Sequence, residues 1–259
     1  MKLGPALGLG ERGIVSLIGA GGKTSLMYTL ARELTGAGRR VLTTTTTKIF
    51  VPGPEESHAL IVARDPRQVV ARARELLGES TLLTAAAESN LPANKLHGFD
   101  VGAIARIAEA NIFDWIVIEA DGAARRPLKA CAGHEPVVPP FSTSVVAVAG
   151  LDAVARPLTE EWVFRSSIYA RTTGLTAGEP VTAASIAAML SHDMSQVAIT
   201  AQQAEKIAFL NKADDNEARL AAEAIIDCLA GSGAGQVFDR VVVGQLHSQP
   251  VLHLSRSLS

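Results

Sequence analysis

Gly19-Ala20-Gly21-Gly22-Lys23-Thr24-Ser25 follows the apolar run Ile14-Val15-Ser16-Leu17-Ile18 and leads straight into helix-forming residues. Strand, glycine loop and helix in that order make the frame on which backbone amides converge upon a phosphate. Glycines carry no Cβ, so the chain can curl closely round an anion, and the helix start adds about half a positive charge from its dipole. In that frame Gly19, Ala20, Gly21 and Gly22 form the cradle and Lys23 bridges the outer phosphates. Thr24 offers its hydroxyl to Mg²⁺, and Ser25 sets the next hydroxyl beside the phosphates. The alternative is a glycine-rich turn followed by a solvated lysine.

Outward from the loop, runs of strand length rich in Val and Ile recur at 14–18, 41–45, 59–62, 115–120, 145–148, 207–210 and 241–243. Helical spacing separates most of them. Leu26, Met27, Leu30, Ala31 and Leu34 share one face before Gly36 and Gly38, and similar patterns fill 101–112 and 218–229. Parallel strands are joined over short distances by right-handed crossovers. The rhythm therefore predicts an α/β fold: a doubly wound, mostly parallel sheet of P-loop NTPase type with helices on both faces, in one domain over 1–259. Residues 172–202, the least regular stretch, read as a helical insertion, and Gly-Ser-Gly-Ala-Gly at 231–235 as a loop before the last strand.

Composition narrows the classes of function. The chain has 259 residues, of which 47% are hydrophobic, enough for a sizeable core. Its 24 Lys and Arg against 26 Asp and Glu leave a net charge of −2, so no global field draws it to nucleic acid or anionic lipid. Aromatics make up 4%, too few for the stacking platforms of single-strand binders. Cys131 and Cys228 are too few and too far apart for a disulfide framework, which suits a reducing, cytoplasmic setting. No run of about 18 apolar residues suggests a membrane span, and the N-terminal MKLGPALGLGERG reads as a loose leader into the first strand.

A phosphate loop needs a carboxylate partner for magnesium. Asp114-Trp115-Ile116-Val117-Ile118-Glu119-Ala120-Asp121-Gly122 is an apolar strand ending in two acids that period two places on one side. Asp121 is expected to hold a magnesium-bound water and Glu119 to orient the attacking water, unless both are merely polar residues at a strand exit. Arg125, Arg126 and Lys129 follow. They suit a second anionic substrate, or the charge of a transferring phosphoryl group, or a solvated basic loop.

Asn211-Lys212-Ala213-Asp214 after the 207–210 run has the N-K-x-D form of guanine readers. An ionised Asp214 accepts from N1–H and the exocyclic amine of guanine, whereas adenine leaves that carboxylate unpaired. Mismatches of this kind reject the wrong base by on the order of 10⁴-fold. The Lys212 stem would cover the ring and Asn211 would fix the loop; the competing reading makes Asp214 a helix cap. Thr43 to Thr47, five threonines followed by Lys48, reflect either β propensity or a segment near the γ-phosphate with Lys48 as a catalytic cation. His58, His97, His134, His192, His247 and His253 show no metal-ligand spacing. Cys131, near His134 and Glu135, is either a reactive thiol or a small buried apolar residue.

Glycine at position 17 would complete the common phosphate-loop spacing, but the chain has Leu17. The shorter loop resembles the G-x-x-G-K-[ST]-[ST] form of Mur ligases and folylpolyglutamate synthases. GAGGKTS at 19–25, TTTTTK at 43–48, EADGAARRPLKACAGHEP at 119–136 and NKAD at 211–214 together resemble the selenium-dependent hydroxylase accessory protein family, YqeC, over most of the chain. The resemblance implies a part in maturing molybdenum hydroxylases that carry labile selenium, with those enzymes or their maturation proteins as partners. It names a pathway and supplies no reaction. Three functions stand: a Mg²⁺-dependent nucleoside triphosphatase using GTP or ATP, with Lys23, Asp121, Glu119 and Lys48 at the phosphates; an ATP-dependent ligase or kinase, for which 259 residues leave no third domain of the Mur type; and a nucleotide-sensing scaffold with little turnover.

Overall fold

In the computed structural model, residues 1–231, 237–246 and 251–258 are described. Most of the glycine-rich 231–235 stretch and His247 lie outside the described residues. Each of the seven apolar runs is a strand, and two further strands join them. They are β1 (Gly13–Gly19), β2 (Val41–Thr45), β3 (Ala59–Val62), β4 (Leu82–Ala86), β5 (Trp115–Glu119), β6 (Ser144–Gly150), β7 (Glu205–Asn211), β8 (Arg240–Gln245) and β9 (Val251–Ser257). The sheet runs β9-β8-β7-β6-β1-β5-β2-β4-β3. Every neighbouring pair is parallel except β8 and β9. Strands β2, β4, β5 and β6 are buried at every residue, which is why, Glu119 at the end of β5 apart, they carry apolar or hydroxyl side chains on both faces.

Among the described residues the α-helices are α1 (Leu3–Ala6), α2 (Lys23–Gly36), α3 (Pro66–Leu76), α4 (Val101–Glu109), α5 (Ser166–Thr173), α6 (Ala183–Thr200) and α7 (Asn216–Gly231). One face of the sheet packs Leu17, Val117 and Val148 against α1 and α2. The opposite face packs Leu42, Ile116 and Ile118 against α3 and α4, and Ala147, Ala208 and Leu210 against α6 and α7. The least regular stretch of sequence thus contains the 18-residue helix α6, started by a reciprocal cap between Thr182 and Ser185.

The N-terminus is not the loose leader its sequence suggests. Leu3, Ala6 and Leu7 are buried, and the amides of Leu3 and Gly4 donate to the Glu33 carboxylate at 2.7 and 2.8 Å. Helix α4 also ends short of position 112, with Asn111 left-handed at φ 53°. Two small sheets sit above the carboxyl ends of the main strands. One is antiparallel (Lys48–Phe50, Glu88–Asn90, Lys95–His97); the other pairs Leu128–Lys129 with Val163–Phe164. Among the described residues no helix is long and apolar enough to cross a membrane.

Candidate functional site

The carboxyl ends of β1, β5, β6 and β7 open onto one crevice, the place where parallel α/β sheets take ligands. β1 ends at Gly19 and α2 begins at Lys23. Between them Gly21 has φ 81° and a Cβ there would lie 2.3 Å from the Gly150 nitrogen; Gly22 has φ 135° and its Cβ would meet Asn211 Nδ2 at 2.2 Å. No other residue type fits either position without moving the neighbours. Gly22 is also the N-cap of α2 and supplies no side-chain cap, so the amides of the first turn face the crevice without one. The Gly21 peptide is held from both sides. Its N–H donates to the Arg126 carbonyl at 3.1 Å, and Asn211 Nδ2 donates to its carbonyl at 2.7 Å.

Lys23 is buried, 4% exposed, and its Nζ donates to the Gly19 carbonyl at 2.6 Å. That nitrogen lies 3.0 Å from Asp121 Oδ1 and 4.0 Å from Glu119 Oε1. The two acids of the β5 exit have different surroundings. Asp121 has no exposed surface; its Oδ2 accepts from the Gly19 amide at 2.9 Å and lies 3.0 Å from Lys129 Nζ. Glu119 accepts from Thr24 Oγ1 at 2.7 Å, the hydroxyl next to the loop lysine. Burial pushes the Glu119 carboxyl above its ordinary pKa, with Lys23 and Thr24 opposing the shift.

Lys129 corrects one expectation. Far from a solvated basic loop, its side chain is fully buried and donates to the Gly122 carbonyl at 2.9 Å and Glu135 Oε2 at 2.8 Å. Burial works against its charge, but Asp121, Cys131 and Glu135 outweigh burial and hold its pKa above the usual lysine value. Glu135 in turn takes Arg165 through both oxygens at 2.6 and 3.2 Å. Despite the burial penalty, Arg165 and Lys129 bring its pKa down to about 2. The signal was present in the sequence: Leu128 and Ala130 flank Lys129, and both are buried.

Behind Asp121 lie Cys131 and, on α6, Asp193. The Cys131 sulfur is 3.8 Å from Asp121 Oδ2, and the Asp193 carboxyl lies near it. Burial, with Asp193 and Asp121 nearby, pushes its thiol pKa up, the opposite of what a reactive thiolate needs. Burial likewise raises Asp193 to about 6. Among the described residues no group of His, Cys, Asp and Glu has metal-binding geometry of its own.

At the far side of the loop, the four residues after β7 divide their tasks. Asn211 ties down Gly21, as above. Lys212, left-handed at φ 67°, places Nζ 2.6 Å from Asp152 Oδ2. Asp214 is exposed and lines the crevice. The cap of α7 comes instead from Asp215, whose Oδ1 accepts from the Ala218 amide at 2.8 Å. The threonine tract is split as well. Thr43, Thr44 and Thr45 are buried, bonding Thr84 Oγ1 at 2.7 Å, the Ala85 carbonyl at 2.8 Å and the Glu119 carbonyl at 2.6 Å. Thr46, Thr47 and exposed Lys48 line the crevice with Lys23, Thr24 and Ser25, a cleft of about 1760 Å³.

A family model, "YqeC protein", matches residues 15–167, more than half of the chain. The chain belongs to the YqeC family. A YqeC relative, "Uncharacterized protein YqeC" of Escherichia coli (strain K12), is 33% identical over 217 residues, covering 83% of this chain and 82% of that protein. The YqeC match takes in the phosphate loop, the threonine tract, both acids and Arg165, whereas Asn211 to Asp214 lie beyond its end. Among solved structures, chloroplast FtsY from Physcomitrella patens aligns at a TM-score of 0.42 with 14% identity, over 91% of this chain and 60% of that one. The signal recognition particle receptor FtsY from Elizabethkingia anophelis aligns at 0.39 with 12% identity, over 95% and 62%. This YqeC chain thus spans about three fifths of the length of those two solved chains.

Proposed function

We propose that the protein binds a nucleoside triphosphate together with Mg²⁺ and hydrolyses it, with guanine as the preferred base. The observation that carries the reading is the start of α2: first-turn amides without a side-chain cap, a buried lysine held at the Gly19 carbonyl, and a hydroxyl–carboxylate pair beside it. Thr24 Oγ1 and Glu119 are hard oxygen donors, the set that Mg²⁺ accepts while keeping several waters. Bound there, the ion would neutralise charge on the outer phosphates.

This assignment departs from the roles expected of the two acids, Asp121 at the magnesium and Glu119 at the attacking water. The Asp121 carboxylate is already committed to Lys23, Lys129 and the Gly19 amide, so we assign it to positioning the loop and its lysine. Glu119 then faces the metal. Lys23 binds the outer phosphates, Lys48 lies along the same cleft wall, and the amides of Gly22 to Ser25 supply the cradle, those of Gly19, Ala20 and Gly21 being taken by Asp121 and the Val148 and Arg126 carbonyls. Asp214 is exposed in the cleft with the cap duty taken by Asp215, which supports its role as reader of the guanine edge. Membership of the YqeC family supports placing this activity in the maturation of selenium-dependent molybdenum hydroxylases.

The test is single-turnover hydrolysis and equilibrium binding with GTP and with ATP. Turnover with GTP, abolished by Lys23→Ala, is expected. Tight binding of a triphosphate without turnover would favour the scaffold instead, and behaviour unchanged by Lys23→Ala would remove the site.

A further inference from the structure

Away from the phosphate loop the cleft extends to the antiparallel sheet that carries Lys48, Phe50 and Lys95. Its volume, about 1760 Å³, exceeds the roughly 300–1,000 Å³ of a typical small-molecule pocket. A nucleotide alone does not fill it.

The charges on its wall are unequally served. Of the acids on the wall, Glu119 is held by Thr24, Glu135 by Lys129 and Arg165, Glu88 by Arg64 at 2.8 Å, and Glu56 by the Gly53 amide at 2.9 Å, while Asp214, exposed after β7, faces the part of the cleft assigned to the base. Lys48, Lys95, Arg125 and Arg126 line the same space; Arg126 Nε donates to the Glu160 carbonyl at 2.6 Å, whereas among the described residues Lys48, Lys95 and Arg125 have no carboxylate within 4.0 Å. Two of these cations crowd one ring: Lys95 Nζ lies 5.4 Å and the Arg125 guanidinium 4.4 Å from the centre of Phe50, which is itself 38% exposed. The ring attracts each cation, but the cations repel one another, and an anion between them would relieve that repulsion.

The backbone that presents Arg125 is strained. Ala124 and Arg125 are successive left-handed residues at φ 47° and 61°, a conformation that costs a non-glycine residue energy and that clusters at ligand clamps. The loop is also fastened to the phosphate cradle, because the Arg126 carbonyl accepts from the Gly21 amide.

We infer that this part of the cleft is a second compartment, built for a small molecule bearing phosphate and held beside the nucleotide by Lys48, Lys95, Arg125 and Arg126. Its position relative to the nucleotide rests on the reading of the phosphate loop given above; its unserved cations do not.

The experiment is calorimetric titration of inorganic pyrophosphate, with magnesium in excess, into the full chain saturated with a non-hydrolysable GTP or ATP analogue. One further equivalent is expected to bind. The double variant Lys95→Ala/Arg125→Ala should weaken it by about tenfold or more, and Lys95→Ala/Arg125→Lys should recover part of the loss. No further equivalent, or equal affinity in the double variant, overturns the inference. If neither analogue binds, the nucleotide reading fails by itself. The same titration is then run on Lys23→Ala protein, where loss of affinity on adding Lys95→Ala/Arg125→Ala supports the compartment and no loss overturns it.

Discussion

Two flanks of the phosphate loop treat charge in opposite ways. On the flank toward α6, Lys23, Asp121, Lys129, Glu135 and Arg165 form a chain of ion pairs, with Lys129 and Asp121 wholly out of solvent. On the cleft flank, Lys48, Lys95 and Arg125 line the cleft without a carboxylate partner among the described residues, and Arg126 is held only by the Glu160 carbonyl. Buried charges that are fully partnered fix geometry, because removing one leaves another uncompensated in a low-dielectric interior. Cations at a wet surface cost little to keep unpaired and are available to a ligand. Glu119 and Asp121, two positions apart on one strand exit, are both buried, but Asp121 is held by two lysines and an amide whereas Glu119 borders the cleft with Thr24 at 2.7 Å and Lys23 only at 4.0 Å.

The largest effect should come from breaking the paired flank. Asp121→Ala strands Lys23 and Lys129 and is expected to cost about 3–5 kcal/mol in urea unfolding. Glu119→Gln should stay within about 1 kcal/mol of the parent while removing the magnesium dependence of nucleotide binding. Equal stability losses for the two variants would erase the distinction.

Next in size is Asp193, which faces Cys131, Asp121, Lys129 and His192. Its pKa rises from 3.8 to about 6 on folding, so its contribution to stability is complete below pH 3.8 and is lost as the pH climbs through 6. Asp193→Asn is therefore expected to be more stable than the parent at pH 8, by about 2–3 kcal/mol, with no gain near pH 4. A gain independent of pH would place the effect in packing instead. Glu135 acts in the reverse sense, since its contribution is lost as the pH falls from the ordinary carboxylate range towards 2.

On the open flank the effects shrink. Asp214→Ala should weaken GTP binding by about tenfold and leave ATP binding within about twofold, as measured by competition with a fluorescent analogue. Equal loss for both would end the case for base selection. Lys212→Ala severs only a half-exposed ion pair to Asp152, and less than about 1 kcal/mol of stability should be lost.

The sheet was legible because its inner strands are uninterrupted apolar runs, and the loop because Gly21 and Gly22 occupy positions that only glycine fits. β4 escaped notice because Leu-Leu-Thr-Ala-Ala lacks the Val and Ile that marked the others. β9, an edge strand reading Val-Leu-His-Leu-Ser-Arg-Ser, is mostly exposed and alternates too weakly. α3 had a signal that went unused, Asp65 capping through the Arg67 amide with Pro66 at the first turn. The division between Glu119 and Asp121 could not be read from their strand, since it is imposed by Lys129, Glu135 and Arg165, which approach through the tertiary fold.

The clamp on Gly21 bears on the order in which the chain becomes competent. Its amide is fastened by Arg126 and its carbonyl by Asn211, one residue far along the chain and the other near the end of β7. A ribosome that has released only the first six strands has therefore made the glycine loop and Arg126 but not Asn211, the fastener of the Gly21 carbonyl. The glycine loop is fully fastened only late in synthesis, after most of the sheet it joins.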